Sequence, residues 1–357
     1  KSISKQMIYG KITLEDWRTA CVEGEEPESS FESYNLRLFF FGTLYNRDTL
    51  QATPDDTNAK LAADAFLSDP AYGFSRLDGS FTIVYYSENE CGVVRDHHGT
   101  HYPVYCHIDG NFATSWQFLE DQLEENFEPN LVSLSTFLQR GILKKNNFAL
   151  FDVHSLGAGE KFYMLTELGY LMPVWASVKL ETQANVHSMF DSLKERNPGL
   201  YEKVADDIYC LKRDSVFEHE PKVVTERNPD VEAYSRRYGE LHAQAIRRRI
   251  GHSRRVGILL SGGYDSGSNL AALRSIYDGQ IDSYSVGFKG DAWTELPMAR
   301  LMSETFGTRH HEYEIDGTET SALPDIVRFL GEPFMEGGLM VNYCAMRMIG
   351  DDKPDVI

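Results

Sequence analysis

Residues 256–266 read Val-Gly-Ile-Leu-Leu-Ser-Gly-Gly-Tyr-Asp-Ser, and this stretch limits what the chain can fold into more than any other. The short apolar run predicts a buried strand, and it ends abruptly in a Ser-Gly-Gly turn. Beyond the turn, Asn269, Leu270, Ala271, Ala272, Leu273 and Ile276 fall at helical spacing. Strand, glycine-rich loop and helix in that order make a phosphate cradle. The glycines let backbone N–H groups approach the oxygens, and the helix N-terminus favours negative charge. No Gly-Lys-Ser/Thr follows at the spacing a Walker loop needs. An ordinary strand-to-helix turn asks for the two glycines alone. Ser261, Asp265 and Ser266, at fixed offsets around Gly262 and Gly263, point to a bound ligand as well.

The residues around this loop predict an α/β domain over 228–357. Strands are expected at 281–288 and 309–315, helices at 295–306, 323–330 and 339–349, and the start of a further strand at 355–357. That alternation implies a parallel sheet with helices on both faces and ligands at the carboxyl ends of its strands, where 261–266 falls. Asn228-Pro229-Asp230 predicts a helix start, with Asn228 as the cap and Pro229 at the first helical position. Val231, Tyr234, Tyr238, Leu241 and Ala245 form its apolar face, and Gly251 ends it. Arg247, Arg248 and Arg249 complement the negative end of that helix.

Residues 7–178 follow a different pattern. Strand-like runs at 36–41, 80–86, 91–95, 101–107 and 111–114 are separated by Gly, Asn and Asp turns, with a helix at 57–67 before Pro70. This predicts an α+β sandwich domain. The polar segment 179–227 reads as a solvated linker, with helical periodicity near 186–194 and 201–209.

Composition narrows the function. At 357 residues the chain is long enough for two domains. A formal net charge of −19 lacks the basic footprint of a nucleic-acid surface. No apolar run is long enough to span a membrane, and the first residues lack a signal-peptide pattern. Cys21, Cys91, Cys106, Cys210 and Cys344 are scattered without a C-x-x-C pair, which suits a reducing cytoplasm rather than zinc or disulfides.

The Ser-Gly-Gly-x-Asp-Ser run resembles the pyrophosphate-binding loop of the ATP pyrophosphatases, which release pyrophosphate from ATP and leave AMP on the substrate. In the N-terminal part, Phe41-Gly42-Thr43-Leu44-Tyr45-Asn46 resembles a degraded Asn-Gly-Glu-Ile-Tyr-Asn. Leu77-Asp78-Gly79-Ser80-Phe81, Arg95-Asp96-His97-His98-Gly99 and Pro103-Val104-Tyr105 are similar to runs of class II glutamine amidotransferase domains, as is 156–160 through to Trp175. The two parts together resemble the asparagine synthetase family. Ser285-Val286-Gly287-Phe288, Glu295 with Ala299-Arg300, His310-His311-Glu312 and Gly331-Glu332-Pro333 are similar to that family's successive motifs.

The resemblance implies an Ntn-hydrolase-like sandwich over 7–178, a linker over 179–227 and part of an adenine nucleotide α-hydrolase-like domain over 228–357. The family's second acidic loop would follow Ile357. Leu259, Ser261, Gly262, Gly263, Asp265, Ser266, Val286 and Gly287 are then the expected nucleotide-binding residues. Asp265 is the expected catalytic residue and Mg²⁺ ligand, since Mg²⁺ takes carboxylates and phosphate oxygens. His310 and His311 read as packing and surface residues rather than metal ligands.

The departures from the family matter too. Its glutaminases use an N-terminal cysteine whose α-amino group is the base. Met7 stands at the expected start of the domain and Cys21 is internal. Phe41 replaces the Asn that donates to the oxyanion. Such members include β-lactam synthetases and lasso-peptide cyclases. The expected function is therefore amide formation through an adenylated carboxylate, with ammonia or a substrate amine as the nitrogen source and ATP and Mg²⁺ as cofactors. A cytoplasmic location, small-molecule or peptide substrates and a homodimer are the matching expectations. A plain ammonia-using asparagine synthetase, a non-catalytic ATP-binding scaffold and a tRNA-modifying pyrophosphatase are the alternatives. The acidic charge and the absence of C-x-x-C count against the last.

Overall fold

The structure is a computed structural model. It describes residues 7–12, 22–70, 73–107, 110–123, 129–140, 153–165, 174–176, 230–290, 294–331, 335, 338–350 and 353–357. The backbone divides into two compact units, Lys1–Pro221 with Arg328–Pro333, and Lys222–Val327 with Phe334–Ile357. The expected linker, with its helical pieces at 186–194 and 201–209, lies outside the described residues.

The N-terminal unit contains β1 (Ile8–Lys11), β2 (Val22–Gly24), β3 (Ser29–Glu32), β4 (Leu36–Leu44), α1 (Asn58–Ser68), β5 (Gly79–Ser87), β6 (Glu90–Arg95), β7 (Tyr105–His107) and β8 (Asn111–Ala113). These are followed by α2 (Trp116–Leu123), α3 (Leu131–Arg140), β9 (Val153–Ser155), β10 (Lys161–Leu165) and β11 (Val174–Ala176). The strands form two antiparallel sheets, in the orders β2-β1-β8-β7-β9 and β11-β10-β6-β5-β4-β3. Period-two alternation builds the layers. Leu36, Leu38 and Phe40 of β4 face Ala59, Ala62 and Phe66 of α1. Phe41 points the other way and joins Val84, Val93, Phe112 and Phe162 between the sheets. Trp116 and Leu119 of α2 cover Tyr105, Ala113 and Val153 on the far side. The unit is thus helix on sheet on sheet on helix.

Two expectations change here. The helix predicted at 57–67 forms with Thr57 as its cap, its side chain accepting from the Lys60 N–H. The strand predicted at 101–107 is paired only over Tyr105–His107. The N–H groups of Thr100 and His101 donate to the Asp96 carboxylate (3.0 and 2.9 Å), and Pro103 has no N–H to give a ladder.

The C-terminal unit contains α4 (Val231–Ile250), β12 (Arg255–Leu259), α5 (Tyr264–Ile276), β13 (Gln280–Phe288), α6 (Leu296–Phe306), β14 (Arg309–Ile315), the part of α7 (Leu323–Leu330) up to Val327, and α8 (Gly338–Ile349). The three strands are parallel in the order β12-β13-β14. Val356 makes a parallel bridge to Val256 on the open side of β12, which is the further strand expected from 355–357. Leu270, Leu273 and Ala299 of α5 and α6 pack with Val256 and Ile281 on one face. α8 lies on β13 and β14, with Cys344 beside Tyr313, whose side chain alternates with that of Glu312 and so faces the opposite side. Helices therefore cover both faces, as expected for a parallel sheet.

The start of α4 corrects a prediction. Asp230, not Asn228, is the cap, accepting from the Ala233 N–H, and Asn228 and Pro229 lie outside the described residues. Val231, Tyr234, Tyr238 and Leu241, predicted as the apolar face of the helix, are exposed. The helix is held through its second half, where Ile246 and Ile250 reach the core and His242 bonds Asn269 of α5 at 2.7 Å.

Candidate functional site

The chain runs outward from β12 to β13 and β14, then returns to the other side of β12 at Val356. That reversal makes the carboxyl end of β12 the switch point of the sheet, the place where a crevice for ligands opens in such folds. The ladder carries on to Leu260, whose N–H bonds Tyr284 O at 2.8 Å. Ser285 Oγ holds the Leu260 carbonyl at 2.5 Å. The chain leaves the sheet at Ser261, at this switch point.

The loop is short because α5 begins at Tyr264, with Gly263 as its cap and no side-chain cap bond. Asp265 and Ser266 therefore sit on the first helical turn rather than in the loop, several residues earlier than the apolar spacing from Asn269 suggests. The first turn is polar, so apolar periodicity could not reveal it. Its leading N–H groups lack partners within the helix, and they face whatever lies over the loop.

The two glycines differ. Gly262 has φ +93°, and a Cβ there would lie 2.6 Å from Glu295 O and 3.1 Å from Ala299 N. The first turn of α6 backs the loop so closely that only glycine fits. Gly263 has φ −79°, and a Cβ there would meet its nearest neighbour, Ser261 Oγ, at 3.3 Å. Gly263 is half-buried, and the atom that crowds this position is a side-chain hydroxyl rather than backbone. Glu295 Oε1 comes within 4.0 Å of that Cβ position. Sequence spacing gave no sign that Glu295 and α6 would form the wall of the loop; only the motif resemblance singled the residue out.

The remaining predicted residues lie nearby. Leu259 is 37% exposed at the end of β12. Val286 is half-buried, and Gly287 is buried against the Leu296 side chain. Tyr264 and Asp265 are exposed. Among the described residues no group of three or more His, Cys, Asp and Glu is placed to hold a metal. A magnesium ion at Asp265 would complete its shell with phosphate oxygens and water, the usual arrangement for that ion.

Polar chains stiffen the sheet on either side. Arg300 of α6 grips Glu312 of β14 with two 2.7 Å bonds, and Glu312 accepts His310 at 3.0 Å. His310 in turn meets Ser283 Oγ at 2.7 Å. The Arg300 bonds hold the Glu312 carboxyl below its ordinary range. At the opposite, amino end of the strands, buried Asp282 takes Arg255 and Arg309 at 2.5 Å each. Burial raises its pKa, but those two arginines outweigh burial and lower it. His311 stacks on Tyr284 with ring centroids 5.0 Å apart. Both histidines therefore occupy packing positions, as the sequence suggests.

In the N-terminal unit the second candidate position is sealed. Phe41 is 1% exposed, within the layer between the sheets. Next to it Gly42 has φ +108°, where a Cβ would strike Ser80 O at 2.2 Å. Thr82 Oγ1 and His101 Nδ1 lie 2.9 Å apart on the neighbouring strand and turn. Burial, aided by the Arg95 charge and opposed by Asp96, pulls the His101 pKa down to about 4.

Comparison with known proteins bears on the C-terminal unit. Residues 237–357 match the family model for asparagine synthase. A protein of Mycobacterium bovis provisionally named asparagine synthetase (glutamine-hydrolyzing) is 32% identical over 93 residues, covering 26% of this chain and 14% of that protein. A Methanocaldococcus jannaschii protein with a similar provisional name is 32% identical over 81 residues, 22% of this chain and 16% of its own length. The chain thus spans only a small part of the curated relatives it matches. Among solved structures, the Bacillus subtilis glutamine phosphoribosylpyrophosphate amidotransferase covers 87% of this chain and 80% of its own, at 13% identity and a TM-score of 0.31, too low to carry an argument.

Proposed function

We propose that the chain is an ATP-dependent carbon–nitrogen ligase that adenylates a substrate carboxylate and forms an amide without hydrolysing glutamine. The observation that carries this reading is the loop at the switch point of the parallel sheet. There Gly262 is wedged against α6, and Ser261, Tyr264 and Asp265 beside it are exposed. The match of 237–357 to asparagine synthase supports it. In this reading the carboxylate attacks the α-phosphorus of ATP, the bond to the bridging oxygen breaks, and pyrophosphate leaves into the loop. Backbone N–H groups at Gly263 and the start of α5 receive the charge that develops on the leaving group. Asp265 would hold Mg²⁺, which neutralises phosphate charge when bound. Leu259, Val286 and Gly287 flank the adenine side.

The nitrogen comes from ammonia or a substrate amine, because the position that would donate to a glutaminase oxyanion is a buried phenylalanine. A specialised cyclase or amide ligase acting on a small-molecule or peptide carboxylate fits better than glutamine-dependent asparagine synthesis. A cytoplasmic site of action without nucleic-acid or membrane partners, with a homodimer allowed for, belongs to the same proposal. Among the described residues no helix is long and apolar enough to cross a membrane. Phosphorus NMR of ATP incubated with the full-length protein, Mg²⁺, ammonium and a panel of carboxylates tests the reading. Carboxylate-dependent AMP and pyrophosphate are expected, and stoichiometric ADP would overturn it.

A further inference from the structure

We infer that Arg274 is a positioning residue for the proposed reaction: it locks α5 to α6 at the ends away from the loop and so fixes the spacing of their first turns beside it. The inference rests on the ligase reading and deepens it, because that reading places the chemistry at those first turns. Helices α5 and α6 follow the neighbouring parallel strands β12 and β13, so they run the same way. The last carbonyls of each lack partners within the helix and carry partial negative charge. Arg274, in the last turn of α5, meets both sets. Its Nε donates to Phe306 O at 2.9 Å and its Nη2 to Gly307 O at 3.2 Å, at the end of α6. Its Nη1 donates to Tyr277 O at 3.1 Å and Gly279 O at 3.0 Å, just past the end of α5. Chemistry fixes every direction here, since a guanidinium carries donors alone and a carbonyl only accepts. Among the described residues its hydrogen-bond partners are all carbonyl oxygens, so one cation answers two helix ends.

Two glycines bring the helices close along the rest of their length. Gly267 is buried, and a Cβ there would lie 2.9 Å from Met302 Cε of α6. At the loop, the Cβ position of Gly262 is 2.6 Å from Glu295 O and 3.1 Å from Ala299 N. α6 is itself tied to the sheet: Ser303 Oγ lies 2.7 Å from Thr308 Oγ1, which lies 2.6 Å from Ser283 Oγ of β13. α6 is therefore the fixed member, and Arg274 holds the end of α5 to it. The 13 residues of α5 form one stiff element, so a tilt at its far end is felt at its first turn. There Gly262 is already pressed on backbone and leaves no slack to absorb the movement. The spacing set by Arg274 at one end is carried to Asp265 at the other.

The test uses the full-length protein with Arg274→Ala and Arg274→Lys. Amide exchange is read at Gly267 and Ala299, whose N–H groups close the first turns on Gly263 O and Glu295 O at 3.0 and 3.1 Å. Arg274→Ala should speed exchange at both by roughly 3- to 10-fold. Arg274→Lys keeps the charge without the fork and should still speed both by roughly 2-fold or more; it carries the test should Arg274→Ala fail to fold. With ATP, Mg²⁺, ammonium and the carboxylate panel, Arg274→Lys should lower kcat for AMP formation by roughly 3- to 10-fold and leave KM for ATP within about 2-fold. Wild-type exchange at Gly267 and Ala299 in both variants, with faster exchange confined to Thr308 and the far ends, overturns the inference and leaves Arg274 a local cap. Wild-type exchange in Arg274→Lys alone overturns the bridging fork in favour of charge. If the wild-type protein makes no AMP with any carboxylate, the ligase reading falls, and the exchange arms still decide whether Arg274 sets the spacing.

Discussion

Gly42 and Gly262 are the same device in two settings. Each has a positive φ, +108° and +93°, and each is pressed against backbone so closely that a Cβ would lie 2.2 or 2.6 Å from a carbonyl oxygen. Their neighbours differ. Gly262 is flanked by exposed Ser261 and, on the next turn, Asp265, whereas Gly42 follows a phenylalanine that is 1% exposed. At the N-terminal position the adjoining space is core, and at the C-terminal position exposed polar side chains flank the turn. A glycine in such a turn therefore records the fold, while the side chains beside it decide whether a ligand can be served.

The largest expected effect in this comparison is at the sealed position. Phe41→Asn would leave a cavity and an unsatisfied amide in the layer between the sheets, and should cost about 4 kcal/mol of stability. It should release no glutamate from glutamine; glutamate formation in proportion to enzyme would mean the pocket is still open. Asp265→Asn comes next, costing roughly 3–4 kcal/mol of transition-state stabilisation, or about 10²–10³ in turnover. Because Asp265 is exposed, the melting temperature should hardly move, and near wild-type turnover would remove it from the site.

The glycine pair separates fold from ligand within one loop. Gly262→Ala should destabilise the C-terminal unit by about 2 kcal/mol through strain at its positive φ. Gly263→Ala should cost under about 1 kcal/mol as a poorer helix cap, yet weaken pyrophosphate binding. Equal melting temperatures for the two variants would contradict the packing of α6 on the loop.

The smallest effect is the pH response of His101. Its pKa falls from 6.5 to about 4 on folding, so the unfolded chain binds the extra proton between those values. The stability lent by neutral His101 is whole above pH ~6.5 and is lost as pH falls toward ~4. His101→Gln should flatten the fall in melting temperature across that window, and an unchanged slope would show that other groups set it.

Much of this was legible in the sequence, for physical reasons that also explain the failures. The strand, turn and helix around Ser261 carry strong local signals, and so does the alternation that follows them. The three- and four-residue strands β2, β3 and β9 are too short for period-two patterning to stand out. α2 and α3 were missed among turn-like neighbours. The wall that Glu295 makes behind Gly262 is a contact between residues far apart in sequence, which no spacing rule reaches. The exposed stripe of α4 shows the converse, since periodicity reveals that a face is apolar and says nothing of what covers it.

One incubation addresses the central claim, that one site is chemically equipped and the other closed. Full-length protein, Mg²⁺–ATP, ammonium, glutamine and a panel of carboxylates are combined, and AMP and glutamate are followed together. The account predicts that AMP accumulates with a carboxylate present while glutamate stays at the level of an enzyme-free control. Glutamate rising in step with AMP would contradict it.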